Sequence, residues 1–150
     1  MKINIEDIKK LREKTGAGMS DCREALEEAG GDSNEAIKLI SKRGLDRAAK
    51  KVGREVRAGA VFSYVHHTGR LGSMVALACE TDFVAKTDDF LKLGKELALQ
   101  VASMQPESVE ILLEQEYVRD PSKKVSELIL DVVGKLGENV VITDFKVVII

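Results

Sequence analysis

At 150 residues, with 32% charged and 44% hydrophobic side chains, the chain has the composition of an ordinary folded protein and not of a disordered one. Its formal net charge of −2 offers no bulk electrostatic case for binding nucleic acid or an anionic membrane. No apolar run approaches the roughly 20 residues of a membrane helix, charges follow Met1-Lys2-Ile3-Asn4 at once where a secretory leader would be apolar, and Cys22 and Cys79 have no metal or disulfide spacing, so a reduced, cytoplasmic protein is expected.

Residues 4–42 parse as three short helices. Ile5, Ile8 and Leu11 form the stripe of the first, with Asn4 as N-cap and Thr15-Gly16 ending it. Gly16-Ala17-Gly18-Met19 is a tight connection. Ser20 can then cap a second helix carrying Cys22, Ala25 and Leu26, which Gly30-Gly31 stops. Asp32 with Glu35 has capping-box spacing and opens a third, with Ala36, Ile37 and Ile40 inside. Met19 either fills a gap under the loop or stands out as an adaptable apolar contact. From Lys42 to Arg57 the composition shifts to seven basic residues against two acidic ones, and Gly44, Gly53 and Gly59 break any long helix. Residues 43–59 read as a basic linker that docks on an acidic protein surface. RNA binding is the alternative there, but no aromatic residues are interleaved for base stacking.

From residue 60 the period becomes two. Val61, Ser63 and Val65 alternate with Phe62, Tyr64 and His66, His67-Thr68-Gly69-Arg70 reads as a hairpin turn, and Leu71–Cys79 is the return strand. Thr87 caps a helix whose stripe is Phe90, Leu93, Leu97, Val101 and Met104. A short helix follows Pro106, another runs from about Ser126 to Leu136, and Val140–Ile150 is a third strand. The expected fold is α+β: a three-helix module at 1–42, the linker at 43–59, and a core domain at 60–150 with helices on one face of an antiparallel sheet. Val147, Val148 and Ile149 leave that sheet an apolar edge with no charge to blunt it, so the core domain is expected to bury this edge in a homodimer.

Between the second strand and the long helix lies a corner, Thr81-Asp82-Phe83-Val84. Phe83 either plugs the local core or projects as an aromatic wedge beside an acidic partner, Asp82. Nothing in the chain marks a nucleophile, a P-loop or a dinucleotide fingerprint. His66 and His67 are adjacent on a strand, where neighbours face opposite ways and cannot share a metal. No catalytic residue, metal or cofactor is expected.

The corner Thr81–Val84, the segment Leu11-Arg12-Glu13-Lys14-Thr15-Gly16-Ala17-Gly18-Met19 with Asp21-Cys22 and Ala25-Leu26, and Lys135-Leu136-Gly137-Glu138-Asn139-Val140 together resemble the bacterial translation elongation factor Ts family. The motifs stand in the family's order and cover most of the chain. The resemblance implies a ubiquitin-associated-type fold for residues 1–42 and a guanine-nucleotide exchange factor that binds elongation factor Tu carrying GDP. In that role Thr81, Asp82, Phe83 and Val84 would displace the Mg²⁺ ion of the partner. Arg12, Met19 and Ser20 would grip its nucleotide-binding domain, and His66, in Ser63-Tyr64-Val65-His66, would touch its far domain or remain a plain surface histidine. Longer relatives carry two core copies, which short members are expected to match by dimerising. The coiled-coil insertion of many relatives is missing, with only Glu107–Asp120 in its place. The competing reading is an interaction adaptor, a ubiquitin-associated-like module joined to a dimerising domain with no exchange activity.

Overall fold

The computed structural model describes residues 3–150. Helices α1 (Ile5–Thr15), α2 (Met19–Glu28) and α3 (Ser33–Ala49) open the chain. Asn4 accepts a hydrogen bond from the Glu6 amide, and Gly16 ends α1 in the left-handed region at φ +69°, where its amide donates to the Arg12 carbonyl. Asp32 accepts from the amides of both Asn34 and Glu35 at the start of α3. The three helices close on a small core of Ile8, Leu11, Cys22, Leu26, Ala36 and Ile40.

Two features differ from the sequence expectation. The N-cap of α2 is Gly18, with no side-chain cap, so Ser20 lies exposed within the first turn and caps nothing. More consequential, α3 does not stop near residue 42. It runs through Gly44 to Ala49, so the first part of the expected linker is helix. An interior glycine costs a helix roughly 0.5–1 kcal/mol, and packing offsets it here. The far half of α3 lies against a later helix, α7 (Val125–Leu136), where a Cβ on Gly134 would stand 2.5 Å from the Gly44 carbonyl oxygen. Gly134 thus lets the two backbones meet, and Ala48 is sealed into the core of the second domain.

That domain is built on an antiparallel sheet of β1 (Ala58–Val65), β2 (Leu71–Cys79) and β5 (Val140–Ile149), in the order β1-β2-β5. Helix α5 (Asp88–Met104) covers one face, and Gly94 makes room for the Phe62 ring, which a Cβ at that position would meet at 2.2 Å. Phe62 and Phe90 pack with centroids 5.9 Å apart. Helices therefore cover one face of an antiparallel sheet, the α+β arrangement expected. Between α6 (Val109–Glu114) and α7 no strand is expected from the sequence, yet a small hairpin forms there from β3 (Glu116–Tyr117) and β4 (Asp120–Lys124). The fully buried Gln100 of α5 holds it like a missing strand. Its Nε2 donates to the Glu116 carbonyl at 3.1 Å and its Oε1 accepts from the Val118 amide at 2.9 Å.

The other face of the sheet has no helix on it among the described residues. Register places Val65, Gly72 and Val148 in one row there and Ser63, Met74 and Lys146 in the next. Val61, Val65, Met74 and Val148 are exposed on it.

Candidate partner-binding site

The corner begins where β2 ends. Cys79 is fully buried, and its thiol donates to the Thr81 carbonyl at 3.2 Å. Burial, with the Glu138 charge second, pushes that thiol up in pKa, so it anchors the chain as a neutral group and is no nucleophile. Thr81 then caps the one-turn helix α4 (Asp82–Ala85), its hydroxyl oxygen accepting from the Val84 amide at 3.4 Å. Thr87 closes the other end. Its hydroxyl donates to the Val84 carbonyl at 2.7 Å and accepts from the Phe90 amide, which starts α5. Val84 is the residue of this turn that faces the core.

Phe83 faces the other way, with 87% of its surface exposed. The remaining phenylalanines and both tyrosines are buried or half-buried, so the domain places its aromatic rings inside wherever it can. Leaving a ring out forgoes about 1.5–3 kcal/mol of burial, and at that exposure Phe83 does not plug the local core. Asp82 is exposed beside it.

A second motif meets the corner from the far end of the chain. After α7, Gly137 turns the backbone at φ +74° and delivers Glu138 and Asn139. Glu138 accepts from the Thr81 amide at 2.9 Å and from the Thr81 hydroxyl at 2.7 Å. Glu80 returns the exchange by accepting from the Asn139 amide at 2.9 Å. Arg54 pairs with Glu80 at 3.2 Å, while its carbonyl accepts from the Asn139 side chain at 2.8 Å. In the sequence, Lys135–Val140 stands out only as part of a pattern. Its contact with Thr81, 57 residues away, has no local periodicity that could have announced it.

The other predicted residues lie elsewhere. Arg12, Met19 and Ser20 are exposed on the helical module. His66 lies past the end of β1, with Nδ1 2.9 Å from the Tyr64 hydroxyl. Because β1 stops at Val65, the His66 and His67 rings come within 4.1 Å of each other and do not point apart as a strand would require. By strand rise they sit roughly 25 Å from the corner, at the opposite end of β2. Val147 is half-buried against the core, Val148 and Ile149 are exposed, and the outer edge of β5 has no strand beside it among the described residues. The arginines of the basic run are paired within the chain. Arg43 meets Glu24 and Glu28, Arg47 meets Asp21, and Arg57 meets Glu55. No helix of the described residues is long and apolar enough to cross a membrane.

A family model described as Elongation factor TS matches residues 80–149. Elongation factor Ts of Fervidobacterium nodosum is 36% identical over 190 aligned positions, which cover 97% of this chain and 96% of that protein. The chain belongs to the elongation factor Ts family. Elongation factor Ts of Thermotoga petrophila is similar at 38% over 188 positions, with 97% and 94% covered. Alignments of that length on a chain of 150 residues mean that the Fervidobacterium relative has at least 40 residues this chain lacks. Elongation factor Ts of Clostridium kluyveri is 46% identical over 144 positions, and there the chain spans 47% of the relative. Within the family, then, this is a translation elongation factor.

Proposed function

We propose that the chain is a guanine-nucleotide exchange factor for elongation factor Tu and that it works by binding, with Phe83 as the wedge. The observation that carries this reading is an 87% exposed aromatic ring on a single helical turn anchored at both ends. An exchange factor needs no catalytic group. It must bind the nucleotide-free partner more tightly than the GDP-bound one, and reciprocity then requires it to weaken GDP binding by the same factor. A phenylalanine entering a partner pocket buries about 150–250 Å² and can supply several kcal/mol as a hot spot. Where the pocket opens only as the elements that hold Mg²⁺ and phosphate move away, all of that energy favours release. Asp82 brings a negative charge to the same place, where it competes for the Mg²⁺ shell of the partner.

Arg12, Met19 and Ser20 supply affinity from the helical module and His66 a contact at the opposite end of the sheet, so the corner is delivered by a long footprint. The protein acts as a homodimer, joined through the open sheet face and the adjoining edge of β5. Val61, Val65, Met74 and Val148 form an apolar patch that a second copy covers, with Asp144 and Lys146 at its rim. The test is release of a fluorescent GDP from elongation factor Tu. Addition of the chain accelerates release, and Phe83→Ala abolishes most of the acceleration; a protein that binds elongation factor Tu without accelerating release is the adaptor.

A further inference from the structure

We infer that Glu138 is a positioning residue for exchange: it holds Phe83 in its projecting pose by way of the Thr81 hydroxyl. The inference rests on the exchange reading and adds the device that makes the wedge stiff. Thr81 Oγ1 has two jobs at once, donating its proton to Glu138 and accepting the Val84 amide. Its proton is drawn to the carboxylate, which leaves a lone pair turned toward α4, so the bond that caps the turn depends on the bond to Glu138. The four residues of α4 could not hold a helix alone, because a single turn fixes more dihedrals than it gains hydrogen bonds. Phe83 sits inside that turn.

Glu138 also takes the Thr81 amide, so both of its oxygens are committed to one residue. The reciprocal Asn139-to-Glu80 bond and the Arg54–Glu80 pair keep the two turns from sliding past one another. None of these groups belongs to the apolar core beneath. They fix where the corner points more than whether the domain folds. A wedge already fixed in its docked pose loses little conformational freedom on entering a pocket, and that saving is realised only when the pocket is occupied.

The experiment is a double-mutant cycle on the maximal rate of fluorescent GDP release from elongation factor Tu, with unmutated chain, Glu138→Ala, Phe83→Ala and the pair. Glu138→Ala should lower the maximal rate about tenfold, the order expected when charge-assisted hydrogen bonds no longer favour one pose, and should leave the half-saturating concentration nearly unchanged. In the Phe83→Ala background it should do nothing further. Glu138→Gln keeps an acceptor for the Thr81 amide and should recover part of the loss. It also stands in for the alanine variant if that one does not fold, with a decrease of roughly threefold that again vanishes beside Phe83→Ala. A full rate for Glu138→Ala, or an equal slowing in both backgrounds, overturns the inference while leaving the wedge in place. A full rate for Phe83→Ala alone overturns the exchange reading and this inference with it.

Discussion

Phe83 and Glu138 illustrate what a residue reveals before and after folding. Phe83 could be singled out from its neighbours, an acidic residue and a strand-to-helix corner, but its direction could not, because period and composition do not say which side of a one-turn helix is spent on the core. Val84 takes that side. Tyr117 gave no sequence signal at all, yet it is the buried pin of the β3–β4 hairpin, donating its hydroxyl proton to Glu96 at 2.5 Å. Burial and that bond push its pKa up to about 12. The folded state therefore keeps a proton that the unfolded chain gives up near pH 10. The stability from this difference is whole below pH 10 and drains away as the pH rises toward 12. Urea midpoints measured across that range should fall more steeply for the unmutated chain than for Tyr117→Phe, and parallel curves would show that the phenol titrates as if free.

At the scale of elements, the strands and long helices were legible because their periodicity is strong. The alternation in β1 and the stripe of α5 are examples. The extent of α3 was not, because Gly44 reads locally as a breaker and its remedy lies 90 positions away in Gly134. Each glycine makes its own prediction. A methyl group at Gly134 would strike the α3 backbone, so Gly134→Ala should destabilise by about 1–3 kcal/mol. It should also speed proteolysis between α3 and β1. A methyl group at Gly44 would meet nothing within 4 Å, so Gly44→Ala should stabilise by up to about 1 kcal/mol. Urea unfolding of the two variants checks both signs; equal shifts would mean that helix propensity and not the crossing governs this joint. The small hairpin escaped notice for another reason. Its strands have two and five residues, one containing Pro121, and a buried glutamine side chain supplies the pairing that a third strand would provide.

For the whole molecule, the helical module does not hang from a loose linker. Its third helix lies on α7, and Arg54 and Arg57 stitch the following segment to the root of the corner, the Arg57 amide donating to the Cys79 carbonyl. In the proposed exchange reaction the module and Phe83 would therefore meet elongation factor Tu from one connected framework. The opposite side of the sheet carries the proposed dimer. A carboxylate in place of Val65, whose row holds Gly72 and Val148, would be buried unpaired in that contact, at a cost of several kcal/mol. Val65→Glu should thus sediment as a monomer with an unchanged circular dichroism spectrum, whereas the unmutated chain should sediment as a dimer. A variant that remains dimeric would place the contact elsewhere.

If the exposed ring of Phe83 does the work of release, stopped-flow measurement of fluorescent GDP leaving elongation factor Tu reads that work out. Since Phe83 touches almost nothing in its own domain, Phe83→Ala should unfold within about 0.5 kcal/mol of the unmutated chain. Its maximal release rate should nevertheless fall by about a hundredfold or more, the equivalent of roughly 3 kcal/mol of hot-spot energy. An equally stable Phe83→Ala chain that empties elongation factor Tu at the full rate would show that the ring is not the lever.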